Sequence, residues 1–119
     1  MSLSDYLKIQ VLDWILRSGN DPYVSIHTGD PGGTGENEIA GNSYVRRQVS
    51  FTEPENGGCE TTSPIIYRLM PATTITHIGL WDTEIGGNFL WGGQLVSAKM
   101  INEHDTFRVP AGSLRVSLE

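Results

Sequence analysis

Cysteine is nearly missing from this 119-residue chain, which has only Cys59. One thiol closes no internal disulfide and cannot hold zinc by itself. The composition is consistent with folding in a reducing cytosol. Cations are also scarce: Lys and Arg number 8 against 14 Asp and Glu, giving a net charge of −6. Nucleic acid held on a general basic patch is thereby disfavoured, because displacing counterions takes an excess of cations. An anionic membrane surface is disfavoured on the same ground. No apolar run approaches the roughly 18 residues of a membrane span. A signal peptide is not visible either. The N-terminus lacks a basic region, and Asp5, Lys8 and Asp13 interrupt its apolar residues.

What the chain does have is turn chemistry between short apolar runs. Its 14 Gly and 6 Pro are scattered without a collagen period. Hydrophobic residues at 38% speak against disorder and allow a real core at this length. The length is that of one domain, residues 1–119, with a helix over 1–19 and a β-sandwich over 22–118.

The helix is read from Leu3, Leu7, Val11, Trp14 and Ile15, which repeat at helical spacing and form an apolar stripe that Leu12 and Leu16 widen. Ser2 is the expected N-cap, with Asp5 three residues on, and Gly19 is the expected stop before Asn20, Asp21 and Pro22. So wide a stripe predicts burial against a sheet or a neighbouring subunit. The period then changes to two. Strands are predicted at 23–28, 44–51, 73–82 and 89–96, with an extended stretch at 60–70 in which Pro64 marks an edge or bulge. A final hairpin is predicted, 106–109 returning as 113–118 around Pro110-Ala111-Gly112. One helix followed by short strands predicts a mainly β fold: an antiparallel β-sandwich or a jelly-roll-like barrel. Trp14, Trp81 and Trp91 are expected in its core. A symmetric hairpin would set Leu80 against Trp91 and Trp81 against Leu90.

Catalytic sets are sparse. His27 and His77 fall in strands where, with Asp30 or Asp82, they form either a metal site or ordinary hydrogen-bonded positions, and no HxH or HExxH spacing selects the first. The loop 29–42 is rich in glycine and acid, yet it lacks the Lys-Ser or Lys-Thr of a phosphate-binding loop and the ligand alternation of a calcium loop. It reads as a flexible acidic surface that wraps a partner and orders on contact, with Asp30, Glu36 and Glu38 as contact candidates. Tyr44, Arg46 and Arg47 follow on a strand with no cleanly apolar face. The Arg46-Arg47 pair either bridges to the acidic loop of a neighbouring copy or is an unpartnered surface pair. No nucleophile elbow is present, and Cys59 has Glu60 rather than a cation beside it. No catalytic residue, metal ligand or cofactor is expected.

Three blocks carry a family likeness. The first is His27-Thr28-Gly29-Asp30-Pro31-Gly32 with Gly41-Asn42-Ser43-Tyr44-Val45-Arg46-Arg47-Gln48-Val49-Ser50-Phe51. The second is Thr76-His77-Ile78-Gly79-Leu80-Trp81-Asp82 with Gly86-Gly87-Asn88-Phe89-Leu90-Trp91-Gly92. The third is Asp105-Thr106-Phe107-Arg108-Val109-Pro110-Ala111-Gly112-Ser113-Leu114. Together they resemble small virion proteins of tailed bacteriophages, often labelled tail fibre proteins and including proteins that decorate or cement the capsid. The chain departs from that pattern at 59–70, where Tyr67 and Arg68 suit a partner-specific edge.

The resemblance implies a structural protein on the outer surface of the virion, made in the bacterial host cytoplasm. Its partners would be the major capsid protein or tail proteins of the same phage, and self-association as a dimer or trimer is expected. Capsid decoration in many copies, stapling shell subunits, is the leading expectation. A tail-tip or fibre-associated adaptor is the alternative, and a virion-borne carbohydrate-binding module the third.

Overall fold

The fold is taken from a computed structural model that describes residues 3–17, 19 and 21–118. Helix α1 spans Asp5–Leu16. Its N-cap is Ser4, whose Oγ accepts from Leu7 N–H at 3.2 Å. Ser2, the expected cap, lies outside the described residues. The buried side of α1 is Leu12 and Leu16, which pack toward β3 (Gly58–Glu60). Part of the stripe expected to face the core lies outward instead, with Trp14 72% exposed and Leu3 and Leu7 also exposed, while Val11 is half-buried and Ile15 packs against the core. The helix is apolar on two sides, so its periodicity could not choose between them. The contact with β3 makes that choice.

The remaining strands are β1 (Tyr23–His27), β2 (Arg47–Gln48), β4 (Ile65–Tyr67), β5 (Thr73–Trp81), β6 (Phe89–Ile101), β7 (Phe107–Val109) and β8 (Arg115–Ser117). All pairing is antiparallel, as expected for a mainly β chain. One sheet has the order β2-β1-β5-β6, and two ribbons pair β3 with β8 and β4 with β7. The sheets are open, so the barrel alternative does not form. The predicted final hairpin is also corrected. β7 and β8 do not pair with each other; each turns to an earlier strand. Gly112 N–H donates to Thr61 O at 2.9 Å, which ties the connection between them to the β3–β4 segment. The long strand predicted over 44–51 shrinks to Arg47–Gln48.

The sheet and ribbons share one core. Val24, Ile26, Ile78 and Leu80 come from the sheet, and Cys59, Ile65, Tyr67, Val109 and Val116 from the ribbons. Tyr67 reaches across, its hydroxyl donating to Val24 O at 2.6 Å and its ring stacking near Tyr44 and Phe107. Alternation along β1 sends Val24 and Ile26 inward and Ser25 and His27 to the opposite face. That second face is buried too: Ser25 and His27 are both 0% exposed. What covers it is the acidic loop.

Candidate functional site

The outer face of the sheet is built around a strand that runs out of partners. β2 pairs with β1 only at Tyr23 and Val24. Past that point the free edge of β1 is completed by the loop. Ile39 N–H donates to Ile26 O at 3.0 Å, and Ile26 N–H donates to the Tyr44 hydroxyl at 3.0 Å. A buried main-chain amide needs such an acceptor. The Tyr44 hydroxyl donates in turn to Glu38 Oε2 at 2.7 Å. The same carboxylate meets Arg46 as a fork, with Nε to Oε2 at 2.9 Å and Nη2 to Oε1 at 2.8 Å. Arg46 Nη1 donates to Gly86 O at 2.9 Å and Thr83 O at 3.2 Å, both in the β5–β6 turn. The guanidinium carbon sits over the Trp81 ring, 3.7 Å from its centroid. One side chain thus clamps the acidic loop, the hairpin turn and the sheet together.

Beneath it runs a second chain of hydrogen bonds. His27 Nδ1 lies 2.7 Å from Glu36 O, and a carbonyl can only accept, so Nδ1 carries the proton. Nε2 of the neutral ring is then an acceptor, and the Ser25 hydroxyl donates to it at 2.6 Å. Ser25 Oγ in turn accepts from the Trp81 indole at 2.9 Å. Phe89 closes the group edge-on against Trp81. Gly79, opposite Ser25 in the register, leaves the room this group occupies.

The electrostatics follow from this packing. Burial holds His27 below its ordinary 6.5, against the opposing pull of the Glu36 carbonyl and Glu38. Burial alone would raise Glu38, but hydrogen bonds from Arg46 and Tyr44 outweigh it and hold the carboxyl low. Burial and the Glu38 carboxylate push Tyr44 well above its usual range. Hydrogen bonds from Asn88 hold Asp82 low at the turn.

His27 carries a pH prediction. Its folded pKa is depressed, so the native state prefers the neutral ring and the unfolded chain binds the extra proton. The stabilisation is complete above about pH 6.5 and is lost as the pH falls through the folded value. Unfolding free energy should therefore decline on acidification from neutrality, more gently in a His27→Gln variant. Ring resonances from NMR should show His27 still uncharged where a free imidazole is half protonated. A ring that titrates at 6.5 would refute the assignment.

The eight expected contact residues are thus distributed unequally. Glu38, Tyr44 and Arg46 form one intramolecular cluster. The acidic partner of Arg46 is in its own chain, where a neighbouring copy was one expectation. Tyr67 is in the core at 1% exposure, so it presents no edge. Asp30, Glu36, Arg47 and Arg68 are exposed. Asp30 caps the Gly32 amide at 2.9 Å. The loop itself is folded in the free chain. Pro31 is fully buried, and Gly35, at φ +83°, presses against the Trp81 ring. His27 and His77 do face each other in the register, but both nitrogens of His27 are engaged elsewhere. No cluster of three or more potential metal ligands occurs among the described residues. The Ser25–His27 contact has the spacing of an activated hydroxyl, yet both groups are sealed from solvent and Oγ already accepts the indole proton.

Sequence reasoning passed over Ser25, Trp81 and Gly79 as a unit. Two signals were available: a Ser-x-His alternation opposite an apolar face, and a glycine inside an otherwise bulky strand.

The family model for the Podophage GP4 fiber I protein gp80 matches residues 2–117, almost the entire chain. The chain belongs to that family. No curated protein matches it. The match covers the helix, the clamped loop and every strand, so the gp80 family is a family of this whole fold. It supports a structural protein of a tailed-phage virion.

Proposed function

We propose that the chain is a fibre-associated structural component on the outer surface of a podophage-type particle. The family match over residues 2–117 carries this reading. The geometry agrees with it. The buried polar network spends its donors and acceptors on the loop, the turn and the sheet. Among the described residues, no buried side-chain nitrogen or oxygen lacks a partner that a substrate would have to supply. The resulting role is a rigid block that presents surfaces to other virion proteins.

Capsid decoration is the second reading. The fold measures 44 × 27 × 26 Å, and no repeating shaft element occurs among the described residues. A decorating block needs only such a compact shape, and many copies on one lattice would gain avidity from weak contacts. Copy number in purified particles separates the two by quantitative mass spectrometry. A handful per particle, lost with the tail on dissociation, is the expected result. Numbers comparable to the capsid protein would overturn the fibre reading in favour of decoration. Absence from the particle would overturn both.

A further inference from the structure

The main sheet ends on β6, whose outer edge has no strand partner among the described residues. β6 runs from Phe89 to Ile101 and, among the described residues, makes no backbone hydrogen bond outside its ladder with β5. A long unpaired edge is a template for another strand, and monomeric proteins blunt such edges with charge, proline or a bulge. β6 has one charge, Lys99, and no proline. Two of its apolar side chains stand in solvent, Val96 at 107% and Met100 at 81% exposure. β6 also departs from its ladder: Leu95, Val96, Ser97 and Ala98 stand opposite Thr76 alone. Such bulges re-aim a strand.

Beside the bulge lies a groove of about 520 Å³, walled by 93–97 on one side and 107–110 on the other. The apolar lining includes Trp91, Leu95, Phe107 and Leu114. The charged groups lining it are all cations, Lys99, Arg108 and Arg115, in a chain whose net charge is −6. Arg115 is engaged, with Nη2 donating to Glu55 O at 2.9 Å. Lys99 and Arg108 form no ion pair among the described residues.

We propose that this groove docks an extended acidic segment of a partner polypeptide, which adds to the sheet as a further strand along β6. Unpaired main-chain groups would supply the ladder, the apolar lining would take alternate side chains, and Lys99 and Arg108 would select acid over base. The open ladder favours a polypeptide over an anionic polysaccharide, which carries no matching row of amides. That the partner is a virion protein rests on the fibre-component reading; the docking chemistry does not.

The test uses the full-length protein and two labelled peptides of about ten residues, one alternating valine with glutamate and one valine with lysine. Fluorescence anisotropy should show the acidic peptide binding and the basic one not. Binding should weaken as salt rises, and by about tenfold or more in a Lys99→Glu/Arg108→Glu variant. Both side chains are exposed and unpaired, so the variant should keep its thermal midpoint. Hydrogen exchange at 93–99 should slow on binding. Equal binding of both peptides, binding of neither, or an unaffected double variant would overturn the proposal. So would an anionic polysaccharide that protects 93–99 where the peptide does not, or a free protein already dimeric with those amides protected. Failure here with the protein present in particles removes the docking mode alone. Peptide binding with the protein absent from particles removes the fibre reading alone.

Discussion

Arg46→Ala should destabilise the fold by about 3–5 kcal/mol, the cost of breaking a largely buried ion pair from one side. The Arg46 side chain is only 9% exposed and that of Glu38 21%, so solvent cannot replace the lost partner well. The substitution strands the Glu38 carboxylate, frees the Thr83 and Gly86 carbonyls and removes the plate over Trp81. Urea denaturation at neutral pH measures the effect. Glu38→Gln should cost less, because the amide oxygen still accepts from Tyr44 or Arg46. The two changes together should cost less than the sum of each alone. A loss below about 1 kcal/mol for Arg46→Ala would place the pair among ordinary surface bridges. It would also show that the loop is held by Pro31 and Gly35 instead.

Gly79→Ala should be at least as damaging, although it adds one methyl. That methyl would sit 2.6 Å from Ser25 Oγ, 2.8 Å from His27 Nε2 and 2.8 Å from the Phe89 ring. None of the three can retreat freely. Ser25 and His27 are fully buried and bonded to each other, and Phe89 packs edge-on against Trp81. Overpacking of this kind costs about 1–3 kcal/mol, and forcing apart a buried hydrogen bond adds about as much again. The expected loss is roughly 3–5 kcal/mol, read as a fall in the urea midpoint or in soluble yield. Gly33→Ala, whose added methyl meets nothing within 4 Å, is the internal control and should change little. A normal midpoint for Gly79→Ala would mean that β5 and β6 can slide apart to admit the methyl.

Both variants concern a region that the sequence showed only in outline. Local signals were legible. The helix Asp5–Leu16, the alternating β1 and the β5–β6 hairpin each declare themselves in residue periodicity or turn glycines. Even the register was half readable. Leu80 faces Trp91 as symmetry predicts, but Trp81 faces Phe89, because the register shifts by one residue next to the turn and leaves Leu90 unmatched. Non-local choices were not legible. Nothing local in 106–118 says that its two strands will part company and seek β4 and β3. Nothing local in the helix says which apolar side meets β3. The functional surface divides in the same way. Arg46 and Glu38 stood out as opposite charges, but their spacing allows a bond within one chain as readily as between two. The fold decides that, by bringing the β5–β6 turn over Trp81. Ser25 carried no signal by itself, because its role exists only once Trp81 is 2.9 Å away.

The lopsided order β2-β1-β5-β6 limits how copies can accumulate. At one margin β2 is two residues long, and each ribbon strand has three, too short to seed a growing stack. Among the described residues, only the β6 margin is long enough to recruit a neighbour strand. For strand addition, such a molecule has a valency of one. Its sheet can be capped, but strand addition cannot propagate head to tail into a fibril. Crowding on a particle, or overproduction before assembly, would then leave at most one strand added to each sheet rather than a runaway polymer.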